Sequence, residues 1–329
     1  MRIRAGVLGM VIAVVVTAAA CSSPPTGSHD GLSGGGSTSS NATRRSMFGS
    51  FPGDVAAGYV RWGAAIGGNS DPVARHENIA GVPMGLRRTY FGWDNRMKAV
   101  TMARNDLAAG RLPWVSFKTP GWAAMASGAH DSQIDELLRA LDSTGGPVWV
   151  TFHHEPENDG LAAADWRAMQ VKVRERMNAT GVQNLAFAPV LMSWTFDPRS
   201  GRNPDDWFVP GIWDFAGIDT YTETTASPTN EIQMWLNTRA WYTAKGLKLA
   251  IGEWGNRGTD AAAAAEMKSF YDMAVRSGTS GQSQVIGLAY FDSDLNSPKG
   301  GWTLTGAPLD QFRVLMQQPT SLTAGQSSR

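Results

Sequence analysis

Two glutamates stand at equivalent places in the chain, each at the end of a short apolar stretch. Glu155 follows the stretch PVWVTF at 147–152 and a pair of histidines, and Glu253 follows LKLAIG at 247–252. Both stretches are rich in β-favouring residues and begin after glycine, which predicts buried strands. Two carboxylates brought together from separate strands can work as a pair. One protonates a leaving oxygen while the other attacks the substrate or activates water.

The surroundings of Glu155 offer one rival acid and few metal ligands. Glu157 could replace Glu155 as the acid, but it follows Pro156 and lies beyond the strand, so Glu155 is preferred. The run His153-His154-Glu155 lacks the spacing of the zinc-protease motif, in which the second histidine is four residues from the first. The sequence therefore predicts no metal and no cofactor. The other histidines are isolated and are predicted to lie on the surface: His29, His76 and His130.

The elements that must position these residues alternate between strand and helix. Such alternation favours a parallel sheet, and eight units favour a single (β/α)8 TIM barrel over an open, doubly wound sheet. The carboxyl ends of the strands meet on one face of such a barrel. Glu155 on the fourth strand, Tyr221 on the sixth and Glu253 on the seventh are therefore expected to converge. The predicted strands are 59–66, 82–91, 112–117, 148–152, 185–190, 216–221, 247–252 and 285–291.

Helical patterns occupy most of the segments between these strands. Ser132 and Asp135 resemble a capping box at the start of one helix, which Gly145 and Gly146 end. Asp260 is predicted to cap another helix. The remaining predicted helices are 96–111, 166–177, 231–245, 261–276 and 309–317.

Residues 1–20 are predicted to be a bacterial lipoprotein signal peptide. Arg2 and Arg4 precede an apolar run that is shorter than the ~20 residues of a membrane-spanning helix. Small residues then lead to Cys21, the only cysteine. This pattern resembles a lipobox and predicts a lipid on Cys21; ordinary signal cleavage is the alternative.

The rest of the chain divides by composition. Residues 21–46 are rich in Ser, Gly and Pro and are predicted to be a flexible tether. Residues 47–319 are predicted to form the folded domain, and 320–329 a polar tail. The formal net charge is zero, which argues against a nucleic-acid partner and gives no reason to expect an anionic substrate.

Tryptophan is abundant, with 13 residues, and several lie in predicted loops above the barrel. An indole ring packs against the C–H face of a sugar and offers an N–H for hydrogen bonding. At least one of these side chains is expected to line a sugar subsite, while burial in the top of the barrel is the alternative for each. The candidates are Trp93, Trp122, Trp194 and Trp254.

Several of these motifs resemble glycoside hydrolase family 26. The resemblance lies in His154-Glu155 on the fourth strand, in IGEWG at 251–255 on the seventh and in the approach to Tyr221 on the sixth. That family belongs to a clan of retaining β/α-barrel enzymes. The resemblance implies that Glu155 is the acid/base, that Glu253 is the nucleophile, that Tyr221 holds Glu253 and that His154 supports Glu155. The chain departs from the family pattern at Thr151, where an arginine is usual, and at Pro156-Glu157.

The function expected from the sequence is retaining hydrolysis of a β-linked polysaccharide, with β-mannan as the family default. The protein is expected to be a monomer, attached through a lipid on Cys21 to the extracellular face of the bacterial cell membrane. A non-catalytic, carbohydrate-binding envelope lipoprotein on the same barrel is the alternative. A metal-dependent hydrolase is a third interpretation, for which five histidines offer no evident ligand cluster.

Overall fold

The computed structural model describes residues 50–222, 229, 232–295 and 300–326. The predicted signal peptide, Cys21 and the tether lie outside these residues. None of the helices within them is long and apolar enough to cross a membrane.

Strands and helices alternate through most of the described chain. The strands are β1 Arg61–Ile66, β2 Leu86–Gly92, β3 Leu112–Lys118, β4 Val148–Phe152, β5 Leu185–Phe187, β6 Val190–Met192, β7 Ala216–Thr222, β8 Leu249–Asn256 and β9 Val285–Asp292. The helices are α1 Asn78–Ala80, α2 Arg96–Ala108, α3 Trp122–Ala126, α4 Asp131–Asp142, α5 Ala163–Thr180, α6 Gln233–Lys245, α7 Ala261–Ser277 and α8 Gly306–Met316.

The strands form one parallel sheet in the order β5-β4-β3-β2-β1-β9-β8-β7-β6. Nine strands appear instead of the eight predicted because the predicted fifth strand divides at Ala188 and Pro189. Pro189 has no N–H to donate to a ladder. The N–H of Ala188 bonds the carbonyl of Val150 in β4 at 3.1 Å, whereas the N–H of Gly217 in β7 bonds the carbonyl of Pro189 at 2.8 Å. Two residues thus link the two edges of the sheet, which curls into a barrel-like shape.

The core has an outer and an inner part. The outer part lies between sheet and helices and takes Val148, Val150 and Phe152 from β4. The inner part contains Trp149 from the same strand and draws no side chain from a helix, so it fills the inside of the sheet. Burial on both faces explains why β4 is continuously apolar, as is typical of parallel strands.

The chain before β1 packs across the amino ends of the strands. We call this end of the sheet the floor. Phe51 stacks on Phe215 with ring centroids 5.3 Å apart. The indole N–H of Trp149 donates to the carbonyl of Pro52 at 3.0 Å. These aromatic side chains fill the inside of the sheet at the floor, so access to its interior is from the opposite end, where the strands have their carboxyl ends.

Three expectations about local structure differ from what is observed. The capping box is wrong, because α4 begins at Asp131 after His130 and has no side-chain cap. Residues of the predicted loose tail are packed: Ser321 pairs with Val60, and Leu322 is buried. His76, expected on the surface, is fully buried, because its turn holds it against Asp292, 2.8 Å from Nε2.

The prediction for Asp260 is confirmed. Its side chain accepts a hydrogen bond from the N–H of Ala263 at 3.0 Å and caps α7.

Candidate active site

Three carboxylates converge at the carboxyl ends of the strands. One oxygen from each of Glu155, Asp219 and Glu253 lies within 4.8 Å of the other two. Glu155 follows β4, whereas Asp219 lies in β7 and Glu253 in β8. Parallel strands present these ends on one face, so residues far apart in sequence meet there. The structure thus brings the two predicted glutamates together and adds Asp219, which the sequence analysis missed.

A β-bulge sets the direction of Glu253. Ile218 pairs with Ile251, but the next residue, Asp219, pairs with Glu253, so Gly252 is the extra residue. Such a bulge re-aims the side chain that follows it. A Cβ atom at residue 252 would lie 1.9 Å from Nη1 of Arg88, so only glycine fits. β8 therefore continues past Gly252, where the sequence analysis ended it, and places Glu253 inside the strand.

An unusual backbone conformation presents Glu155. The φ angles of His153 and Glu155 are 62° and 48°, in the left-handed region that non-glycine residues rarely adopt. Each such residue costs on the order of 1–3 kcal/mol and persists only where neighbouring contacts hold it. The N–H of Glu155 bonds the carbonyl of Val190 at 2.8 Å. The turn after β4 is therefore fixed against β6, and residues held in this way cluster at functional sites.

His153 fastens this turn from the other side. Its imidazole bonds the hydroxyl of Thr119 at 2.8 Å through Nδ1 and the carboxylate of Asp159 through Nε2. Lys118 pairs with Asp159 at 3.0 Å, and Trp122 contacts the imidazole edge-on, with centroids 4.9 Å apart. His153 thus holds the loop that carries Glu155, a role the sequence analysis did not assign.

Tyr221 lies where the sequence analysis expected it. Its hydroxyl donates to Oε2 of Glu253 at 2.6 Å. The ring of Trp302 packs on Tyr221 with centroids 4.7 Å apart and keeps the phenol in place. A carboxylate that accepts such a bond is stabilised in its charged form.

A buried arginine lies beneath the carboxylates. Arg88 of β2 is fully buried, with Nη2 3.9 Å from Oδ2 of Asp219 and Cζ 4.6 Å from the ring centre of Trp114. Within the described residues, its side-chain nitrogens and both oxygens of Asp219 have no hydrogen-bond partner. Arg88 is thus a fixed positive charge beneath three acids. In the sequence, the only sign of this buried charge is the pair of arginines at 87–88, which interrupts an otherwise apolar predicted strand.

Burial and crowding shift the proton affinities of these groups. Burial, followed by the charges of Glu253 and Glu157, raises the pKa of Glu155 to about 8. Burial, and next the charge of Glu253, holds the pKa of Asp219 well above its usual range. Three carboxyl groups this close cannot all ionise cheaply. The arrangement favours a protonated Glu155 near neutral pH, as a general acid requires.

His154 supports the site as a neutral ring. Burial, followed by the charges of Arg88 and Lys118, lowers its pKa well below the usual value. Its Nδ1 lies 3.2 Å from the hydroxyl of Ser116, and its ring packs on Tyr90 with centroids 5.4 Å apart.

Glu157, the rival acid, is hydrogen-bonded to the end of β6 and to the loop that follows it. Its Oε1 accepts hydrogen bonds from the N–H of Met192 at 2.9 Å and the hydroxyl of Thr195 at 2.8 Å. Its Oε2 is buried without a partner in the described part of the chain. Burial raises its pKa to about 7 against those hydrogen bonds. Glu157 therefore ties the loop after β6 to the turn that carries Glu155.

Replacing Glu157 with glutamine tests this structural role. We expect kcat/KM to stay within about tenfold of wild type, because an amide oxygen can accept the same two bonds. The pKa of Glu157 in the folded protein lies above its ordinary 4.5. Ionisation of this side chain therefore makes the folded protein progressively less stable as pH rises from 4.5 to about 7. The variant should therefore gain melting temperature over wild type between pH 4.5 and about 7. A loss of turnover as large as that from replacing Glu155 would instead make Glu157 the acid.

Of the four candidate tryptophans, only Trp194 keeps a substantial exposed surface, at 37%. Trp93 donates its N–H to Gln133 at 2.8 Å, and Trp254 donates to Thr229 at 3.1 Å. Trp93, Trp122 and Trp254 are buried in the packing, the alternative considered for each, and have little surface left for a sugar ring. Trp194 is the one candidate that can still offer a ring face.

The carboxylate spacing could also suit a divalent cation, which takes oxygen ligands. Such an ion would lie near the guanidinium of Arg88, which is 3.9 Å from Asp219 and already provides positive charge. Repulsion between like charges at this separation disfavours a metal site.

Comparison with known proteins places the fold. No protein-family model matches the chain, and no curated protein matches it. A GH26 β-mannanase from Bacteroides ovatus matches with a TM-score of 0.53 and 14% identity, over 82% of this chain and 91% of that one. A Cellulomonas fimi endo-β-1,4-mannanase double mutant matches with a TM-score of 0.52 and 14% identity, over 82% and 73%.

A third structure belongs to a different enzyme type. A GH5-4 broad-specificity endoglucanase from an uncultured bacterium matches with a TM-score of 0.54 and 12% identity, over 80% of this chain and 97% of that one. The chain therefore has a TIM-barrel-like fold of the kind found in these glycoside hydrolases. At these identities the likeness concerns the fold, and the chemistry must be argued from the site itself.

Proposed function

We propose that the protein is a retaining glycoside hydrolase that cleaves a β-linked polysaccharide, with β-mannan the first substrate to test. The observation that carries this proposal is the mutual distance of at most 4.8 Å between oxygens of Glu155, Asp219 and Glu253. Retaining enzymes place their two carboxyl groups about 5–5.5 Å apart, whereas inverting enzymes need about 6.5–9.5 Å to admit a water.

In this mechanism the bond from the anomeric carbon to the leaving oxygen breaks as Glu155 transfers its proton to that oxygen. The carboxylate of Glu253 attacks the anomeric carbon and forms an ester. The ester removes the negative charge of Glu253, which is one of the causes that raise the pKa of Glu155. Glu155 then becomes acidic enough to remain ionised and takes a proton from the water that hydrolyses the ester.

Three neighbouring side chains position Glu155 and Glu253 or offset the charge around them. The hydroxyl of Tyr221, 2.6 Å from Glu253, donates a hydrogen bond to the nucleophile and orients it. The charge of Arg88 offsets the crowding of three acids. The bonded imidazole of His153 holds the loop of Glu155 in its left-handed conformation, so the acid is aimed before substrate binds.

We further propose that the enzyme is held at the extracellular face of the cell membrane by a lipid on Cys21. The signal-like residues 1–20 and the tether composition of 21–46 support this.

The direct experiment is a screen of the purified full-length protein against β-mannan, β-glucans, xylans and cell-wall glycans, with release of reducing ends as the readout. The Glu155→Gln/Glu253→Ala double variant is the control for contaminating activity. Release by wild type alone supports the proposal. Binding of a glycan without any release would favour the non-catalytic alternative.

The pH dependence of kcat/KM should report Glu155. Since the general acid must be protonated in the free enzyme, we expect kcat/KM to fall as pH rises through about 8, the value to which burial raises its pKa. Measurement from pH 5 to 10 on an aryl β-glycoside with a poor leaving group should show this descending limb. The limb should survive in Glu157→Gln. Its loss in that variant would assign the ionisation to Glu157.

A further inference from the structure

A cavity lies at the floor, away from the carboxylates. It has a volume of about 530 Å³, within the range of small-molecule sites. Arg61, the first residue of β1, and Pro147, which directly precedes β4, both line it. The cavity thus opens at the amino ends of the strands. We call it the floor cavity.

The floor cavity is lined by a buried cation with no ion pair. Arg61 is only 2% exposed, and its guanidinium donates to the carbonyls of Gly53 and Thr323, both at 2.8 Å. Across the described ranges no carboxylate lies within ion-pair distance of it, and its observed hydrogen bonds use Nε and Nη1. A buried, unpaired guanidinium is costly, and a bound anion would relieve that cost.

The charges around Arg61 leave the cavity positive. Asp54 also lines it, but both of its oxygens accept from Lys248 at 2.8 Å, which neutralises that carboxylate. Arg104 of α2 is an exposed second lining cation, for which no ion pair is observed with any described residue. Burial also lowers the pKa of Arg61 to about 10, against the opposing charge of Asp54, as expected where counter-charge is insufficient.

The size of the floor cavity and the charges in its wall limit the class of ligand that it can bind. One guanidinium satisfies both oxygens of a carboxylate, whereas a phosphate ester has further oxygens for a second guanidinium on another element. The remaining wall includes Leu107, Ala108 and Pro147, which would contact a short carbon body. We propose that the floor cavity binds a phosphate ester of a small polyol, with Arg61 and Arg104 as its anion partners.

Two sources carry this chemistry: a phospholipid head group and a free phosphate ester. The head-group source rests on the proposed membrane anchor, which would keep the protein near a lipid surface. The site itself rests on neither that anchor nor the proposed hydrolase activity. Binding should accordingly be unchanged in Glu253→Ala.

Titration of the full-length protein with sn-glycerol 3-phosphate, by calorimetry, tests the site, with glycerol as the uncharged control. Arg104→Gln should weaken binding roughly tenfold or more, as loss of a charged hydrogen bond does. Gln326→Glu should weaken it too, since it adds a negative charge to the wall with little change in shape. Lys98→Gln, an exposed cation elsewhere on α2, is the matched control and should have no effect.

Arg61 also ties Gly53 to Thr323, so its replacement would test folding as much as binding, and the test therefore uses Arg104 and Gln326. No binding by wild type, equal binding of glycerol, or equal weakening by Lys98→Gln would overturn the proposal.

Sedimentation of the Cys21→Ser chain with vesicles of phosphatidylcholine, with and without 20 mol% phosphatidylglycerol, then distinguishes a lipid head group from a free phosphate ester. Binding to the anionic vesicles that Arg104→Gln abolishes identifies the head group. Binding of the soluble ester alone identifies a free ligand.

Discussion

Replacing Glu253 with alanine is expected to lower kcat by roughly 10⁴–10⁶-fold, the range seen when the nucleophile or a partner is removed from a covalent hydrolase. The alanine cannot form the ester, and the hydroxyl of Tyr221 loses its partner. Stability should not fall to match, because one of three crowded carboxylates is removed. Steady-state kinetics on an aryl β-glycoside, together with thermal melting, measures both effects.

Azide provides the positive test of the same variant. A small anion can enter the space vacated by the Glu253 carboxylate and attack the anomeric carbon from that face, giving an α-glycosyl azide. We expect azide to restore turnover in Glu253→Ala and NMR to identify that product. Glu136→Ala removes a carboxylate that is 57% exposed and pairs with Arg96 rather than with any residue of the site, and should behave as wild type. Undiminished turnover by Glu253→Ala would contradict its assignment as nucleophile.

The second large effect is expected for Glu155→Gln. Glutamine keeps the shape of the side chain but has no acidic proton, so cleavage of natural glycosidic bonds should slow by about 10²–10⁴-fold. A dinitrophenyl leaving group needs little protonation, so formation of the glycosyl-enzyme should survive. Its hydrolysis should then become slow, because the base is also missing. Stopped-flow measurements should show a burst of dinitrophenolate followed by a slow steady state.

Glu157→Gln is the matched control for this experiment, because it makes the same chemical change two residues away. It should show neither the burst nor the selective loss on poor leaving groups. If the two variants exchanged behaviour, the acid would be Glu157, and the hydrogen bonds from Met192 and Thr195 would need to break during catalysis.

The sequence predicted the strands that carry the chemistry because buried parallel strands are continuous apolar runs that stop at polar residues. β4 was predicted and observed at 148–152, and Tyr221 meets Glu253 as expected. The division of the fifth strand could have been inferred from Pro189, which cannot donate to a ladder. The bulge at Gly252 could not, because the guanidinium that excludes a side chain there belongs to Arg88 on a distant strand.

Buried polar residues were the systematic omission. Arg88, Asp219 and His76 are each buried beside a charged group of another segment, whereas sequence reasoning assigns isolated charges to the surface. The tryptophans show the same limit. Whether an indole faces the cleft or the packing is decided by neighbours such as Gln133 for Trp93, far along the chain.

The stereochemistry of the first-formed product distinguishes double displacement through Glu253 from a single displacement by water. With the polysaccharide identified by the screen, proton NMR within the first minutes of hydrolysis distinguishes the two anomers before mutarotation. One oxygen of each carboxylate lies within 4.8 Å of the others, which is close to the spacing of about 5–5.5 Å in retaining enzymes and shorter than the roughly 6.5–9.5 Å of inverting ones, so we expect the β-anomer. First release of the α-anomer would contradict double displacement through Glu253.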